Sequence, residues 1–251
     1  MTTLPAATSS APRQQATTRD ECGPDLSWKG LYRVGGICSL AAGPAIIAVA
    51  VLSIIIGGAP GDSEAYLQSI SSHALLSKLN FGLFAMVDFL LLPTALALYF
   101  ALKHLGKSAM LIASGLMVVF IVLDLATTEM NSLTLVMLAQ HYAESVGSVQ
   151  QQTYVGAAAF ALATLPLATF FSYVVSSIGL LIISVVMLRG VFSRITALAG
   201  IIASVGGIVG GFYVVLPVLA LLLTPCLVAF GIWALLAGIR LLQLGNSSGA
   251  A

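Results

Sequence analysis

The chain has 251 residues, of which 59% are hydrophobic and only 8% charged. Soluble domains carry about 25% charged residues, so this balance, with a mean hydropathy of +1.05, excludes an ordinary soluble domain, a disordered chain and a secreted disulfide scaffold. Ten Lys and Arg face nine Asp and Glu, a balance that offers nucleic acid no basic patch. Cys22, Cys38 and Cys226 lie far apart and form no paired framework. What remains is an all-α membrane protein of several spans.

The gaps between charges map the spans. The N-terminal stretch 1–29 is rich in Thr, Ala, Ser, Pro and Gln at its start, with no apolar core before Leu31. It reads as a disordered cytoplasmic tail rather than a signal peptide. No charge falls between Val34 and Gly61, and Leu79 to Leu102 is broken only by Asp88. Ser108 to Leu123 is clean and runs on past Asp124 and Glu129. A helix needs about 20 apolar residues to cross a hydrocarbon core, so these stretches give spans at about 34–57, 79–102 and 108–139.

The uncharged stretch Ser145 to Leu188 opens with polar residues to Thr153, read as loop, and continues as one long helix over 154–188 that Pro166 can bend. The 45 uncharged residues from Ile195 to Ile239 would make ~67 Å of helix, too long for one crossing. Gly206-Gly207, Gly210-Gly211 and Pro217 mark a turn there, giving spans at 195–214 and 217–242. Residues 243–251 read as a short cytoplasmic tail, where the sequon Asn246-Ser247-Ser248 is of no consequence.

Six spans with both termini inside place Arg13, Arg19, Lys29, Arg33, Lys103, Lys107, Arg189, Arg194 and Arg240 on the cytoplasmic side, and only Lys78 outside. That bias follows the positive-inside rule. Trp28, Tyr32, Tyr99 and Phe192 fall at the inner boundary; Tyr142, Tyr154, Phe212 and Tyr213 fall at the outer one. The third and fourth helices are long enough to protrude on the outer side. Gly35, Ser39 and Gly43 make one ridge of small residues, and Ala199, Ala203, Gly207 and Gly211 another, with Gly206 and Gly210 alongside. Such ridges let helices approach closely. They are expected to pack within the chain, with oligomerisation through the glycine-rich spans as the other use.

Charged groups inside a bilayer need a reason, since each costs at least ~2.5 kcal/mol. Asp88 is expected ~13 Å below the outer start of its span, and Asp124 ~24 Å from the cytoplasmic side, so both sit in the outer half. Glu129 lies near the outer surface, where it can face water. Thr169, Ser172, Tyr173, Ser176 and Ser177 descend from the same side on the fourth span. One reading is an outward-facing polar pocket of Asp88, Asp124, Glu129, Tyr173 and Thr169. Two carboxyls in one low-dielectric site repel as anions, which suits proton coupling, cation binding or recognition of a polar ligand. The other reading caps each acid with Ser, Thr or Tyr and makes it a packing device.

A metal set of His73, His141, Asp124 and Glu129 lacks any helix-ligand spacing. His104 belongs to a basic cytoplasmic turn. No mid-span lysine suits a Schiff base, no histidine pair suits haem, and no nucleophile or phosphate-binding motif appears. No cofactor is expected, and an enzyme is the less favoured class.

Gly30-Leu31-Tyr32-Arg33 followed by Gly35-Gly36-Ile37, the polar first outer loop, and the basic turn from Tyr99 through Lys103 to Lys107-Ser108-Ala109 resemble the prokaryotic six-span proteins of the domain of unknown function 4386 family. The resemblance covers residues 30 to 242. It implies an integral protein of the prokaryotic plasma membrane, with no reaction and no functional residues to carry over. The expected partners are the lipid bilayer and a small ligand or cation. The expected function is a small-ligand or lipid-binding or sensing module; a proton- or cation-coupled secondary transporter and a structural subunit of a membrane complex are the alternatives.

Overall fold

The computed structural model describes residues 25–57, 62–190 and 192–247. The tail expected at the N-terminus lies outside them up to residue 24. Six helical runs among the described residues are long and apolar enough to cross a membrane: Lys29–Ile56, Ala74–Leu102, Lys107–Glu144, Ser148–Met187, Arg194–Val214 and Pro217–Asn246.

Helix α1 (Lys29–Ile56) follows a short 3-10 turn capped by Asp25, which accepts from the Ser27 backbone N–H at 3.2 Å. It ends at Gly57, whose φ of +85° lets the chain leave the helix where a side chain would strain it. The first interhelical segment is not simply a loop. Asp62 caps α2 (Ser63–Ser72), which buries Leu67 and Ile70 and leads through His73 into α3 (Ala74–Leu102). Helix α4 (Lys107–Leu123) passes through one π-helical turn, Asp124–Glu129, into α5 (Met130–Glu144).

The polar stretch expected as loop up to Thr153 is loop only to Gly147, because α6 spans Ser148–Met187. Gln is a good helix former, and these first turns lead into Ala158 and Ala161, buried in a core. Helix α7 (Arg194–Gly211) leads through 3-10 turns at Phe212–Val214 and Pro217–Leu222 into α8 (Leu223–Asn246). Helix α8 thereby takes in the start of the segment expected as a tail, since Gly245 packs on Arg33 of α1.

The helices close a ring in chain order: α1 on α3, α3 on α4, α4 on α6, α6 on α7, α7 on α8, and α8 back on α1. Small residues set these contacts. A Cβ at Gly43 would come 2.9 Å from the Gly231 carbonyl oxygen, and one at Gly238 would come 2.9 Å from that of Gly36. Ser39 donates to the Ala234 carbonyl at 2.7 Å across the same seam. Gly35 turns the other way, onto Pro93 and Ala97 of α3. On α7 the glycines form two files: Gly207 and Gly211 meet Ser177 and Val174 of α6, and Gly206 and Gly210 meet Cys226 and Leu223 of α8.

The α4–α5 run of 38 residues and α6 of 40 are ~57 and ~60 Å long, against ~44 Å for α3. Their excess length forms a cap with α2 around a second core of Leu67, Ile70, Leu135, Ala139, Tyr142, Ala158 and Ala161. The Tyr142 hydroxyl donates to Glu64 at 2.7 Å, and Ser69 donates to the Ile56 carbonyl at 3.0 Å. At the opposite end Lys103 pairs with Asp25 at 3.2 Å, Trp28 stacks on Phe100, and Arg33 donates to the Gly245 carbonyl at 3.0 Å. The Ser27 hydroxyl, followed by Lys103, holds the Asp25 carboxyl below its ordinary range.

The α1–α8 seam gives a direct test. Gly238→Ala puts a methyl against backbone that cannot move aside, so it should lower unfolding stability in detergent by ~1–3 kcal/mol, the usual cost of overpacking. Gly82→Ala, with nothing within 4 Å, should be neutral or stabilising through its helix propensity. Thermal unfolding of the two variants beside the parent protein checks both.

Candidate functional site

On the axis of the ring lies a cavity of about 130 Å³ to which all six long helical runs contribute. Each helix supplies a stripe at helical spacing. Helix α1 gives Ile46 and Val49; α3 gives Phe84, Val87, Asp88 and Leu91; α7 gives Ala203 and Gly207; α8 gives Leu223, Cys226, Leu227 and Phe230. Helix α6 gives a polar stripe, Thr169, Ser172, Tyr173, Ser176 and Ser177, ending at Leu180. The α4–α5 run supplies Phe120, Asp124, Thr128, Glu129 and Ser132.

The π turn explains how two acids of one helix reach this cavity. In an α-helix, residues five apart diverge by about 140° around the axis. A π turn closes i to i+5, which stacks Asp124 and Glu129 on one face. Glu129, expected to be able to face water, is consequently only 4% exposed. Asp124 is 8% exposed and Asp88 2%.

Heights along the ring also agree. Because α3 begins at Ala74, Asp88 is the central residue of its 29, deeper than the ~13 Å expected from a start at Leu79. Counting from the end that carries Lys29 and Asn246, Asp88 and Tyr173 lie at ~21 Å, Asp124 at ~26 Å and Thr169 at ~27 Å along their helices. All five residues singled out from the sequence, Asp88, Asp124, Glu129, Tyr173 and Thr169, thus line one cavity.

The acids are not equally partnered. Thr128 and Ser172, with hydroxyls 3.4 Å apart, are placed to donate to Asp124. Asp88 Oδ2 and Glu129 Oε2 are buried with no hydrogen-bond partner in the protein. Several neighbouring hydroxyls direct their protons elsewhere. Thr169 donates to the Leu165 carbonyl at 2.8 Å, Ser132 to that of Thr128 at 2.9 Å, and Ser176 to that of Tyr173 at 3.1 Å. They turn lone pairs, not hydrogens, toward any guest. Among the described residues no Lys, Arg, His, Asn, Gln or Trp lines the cavity.

The histidines lie apart from this site. His73 caps the junction of α2 and α3 and bonds with the Ser69 carbonyl at 3.1 Å; His141 stacks on Tyr154 beside Glu144. Among the described residues no three His, Cys, Asp or Glu converge closely enough to hold a metal ion. Ser132, the aromatic walls and the π turn itself were not legible beforehand. The available signal was the polar run from Asp124 to Ser132, whose spacing fits no single α-helical face.

Asp124 should depend on its hydroxyl partners. Ser172→Ala should destabilise the protein by ~1–3 kcal/mol, the cost of under-satisfying a buried polar group. The same substitution made on Asp124→Leu should cost much less, because the acceptor is gone. A double-mutant cycle by denaturant unfolding in detergent measures the coupling.

No family model, curated protein or solved structure matches this chain.

Proposed function

We propose that this is an integral membrane protein whose six helical runs span the bilayer with both ends in the cytoplasm, and whose axial cavity binds a small, positively charged ligand. The membrane reading is supported by the six apolar runs and by an outer ring surface that exposes Val34, Ile37, Ile54, Leu111, Ile112, Ile195 and Ile202. Soluble monomers rarely show apolar surface on this scale. Orientation is supported by the basic residues: among the described ones, only Lys78 lies at the cap end of the ring, and the positive end is the cytoplasmic one.

One observation carries the ligand reading. Three carboxyls from two helical runs line one cavity, and among the described residues no cationic side chain lines it with them. Acids inside membrane proteins ordinarily pair or mark a binding path. A packing role would leave each acid capped by its neighbours. Asp88 and Glu129 each retain a free oxygen, so a cation is the complement they lack. The protein is then a binding or sensing module.

Proton- or cation-coupled transport is the second reading. Pro93 and Pro166 lie inside α3 and α6 close to the cavity, where each removes a backbone hydrogen bond. Helices α3 and α6 continue through these prolines, but with the π turn they put backbone irregularities in three of the cavity-lining helical runs, and transporters often place such irregularities at their sites.

The test is a set of cations, inorganic and organic, added to protein in nanodiscs at matched ionic strength. A ligand at 100 times its Kd stabilises by about 2.7 kcal/mol. At least one cation should raise the unfolding midpoint of the parent protein and lose that effect in Asp88→Asn. Stabilisation by neutral or anionic compounds alone would overturn the reading. Uptake of the bound cation into liposomes, with proton counterflow, would select transport.

A further inference from the structure

The walls of the cavity narrow the ligand class. We propose that its ligand is a small hydrophobic ammonium, an amine carrying one aryl or alkyl group of about benzene size, rather than a bare metal ion. This rests on the cation reading above and specifies it.

Size comes first. An apolar cavity of ~150 Å³ accepts a benzene-sized guest, and this one measures about 130 Å³. Chemistry comes second. A hard metal ion takes six to eight oxygens at short range, whereas here no three acidic, histidine or cysteine side chains converge among the described residues. The carboxyls instead stand around a space walled mainly by carbon, with Phe84, Phe120 and Phe230 on three different helices. Aromatic rings attract an ammonium as well as its apolar substituent.

Polarity is the third argument, and it points the same way. Asp88 and Glu129 both line the cavity, are 2% and 4% exposed, and each holds one buried oxygen without a hydrogen-bond partner. An ammonium has up to three N–H donors, and the lining meets them with carboxylate oxygens and with hydroxyls such as Thr169 that have already donated to the backbone. An anionic or strongly hydrogen-bond-accepting ligand would find no N–H side chain here. The three carboxyls, with only hydroxyl and thiol donors such as Tyr173, Ser177 and Cys226 beside them, favour a cationic donor with an apolar body.

Benzylammonium and its neutral isostere benzyl alcohol separate charge from shape. Binding of each to the full chain in nanodiscs is measured by calorimetry, beside sodium, potassium and calcium chlorides. Benzylammonium should bind at least tenfold more tightly than benzyl alcohol. Asp88→Asn and Glu129→Gln should each bring the two compounds to within about threefold of one another. The parent comparison requires no variant, so misfolding of either variant leaves the test intact. If a metal cation binds in an Asp88-dependent way and benzylammonium does not, the inference falls and the cation site stands. If the alcohol binds as well as the amine, or no cation binds at all, both fall.

Discussion

The close approach of α1 and α8 is the contact on which the rest of the molecule depends. In a hydrocarbon solvent, apolar side chains gain nothing by meeting one another, so helices associate through backbone proximity and buried polar contacts. The first and last long helices supply both. Gly36, Gly43, Gly231 and Gly238 bring the two backbones together, and the Ser39 hydroxyl reaches the Ala234 carbonyl across them. Without that seam the six runs would form an open row. With it they form a closed ring, and a ring has an axis where a cavity can be walled by every helix. The cavity therefore exists only when the whole chain has folded.

The same logic separates the cap from the ring. Helix α2 is short and polar on one face, and it packs on the excess length of α5 and α6 through an apolar core of its own. Its hydrogen bonds, Tyr142 to Glu64 and Ser69 to the end of α1, are those of a solvated subdomain rather than of a membrane interior. The two clusters are joined through the α4–α5 run, and the π turn lies at their junction. That turn sets the rotation of α5 against the ring as well as the direction of Asp124 and Glu129.

Much of the ring was legible because charge gaps and helix rise are one-dimensional quantities. Asp88, Asp124 and the α6 polar stripe stood out because polar residues are rare in such helices. Rotation is another matter. Depth along the span put Glu129 near the outer surface, free to face water or the pocket, and the i to i+5 closure turns it inward. Helix α2 was missed because ten residues with two buried apolar positions resemble a polar loop; its sign was Asp62 at the cap position, followed by Leu67 and Ile70 three residues apart. The small-residue ridge on α1 was visible, but its division between two neighbours was not. Gly35 and Gly36 are adjacent in sequence and face opposite partners, α3 and α8.

The cavity is also where local stability and the overall fold disagree. Removing an acid from water is costly unless it is paired, and replacing buried polar groups by apolar residues of similar size is often neutral or stabilising. Leu at position 88 or 129 would complete an already apolar wall. Asp124 has the hydroxyls of Thr128 and Ser172 beside it as candidate donors. No hydrogen-bond partner reaches Asp88 Oδ2 or Glu129 Oε2, although serine and threonine hydroxyls lie on the same lining. Those of Thr169, Ser132 and Ser176 donate to backbone carbonyls instead. Proteins tolerate such local conflict mainly at functional sites, with the deficit offset elsewhere in the structure. Here the offset is the glycine seam and the cap core, which hold the ring closed around a space that its own side chains leave electrostatically incomplete.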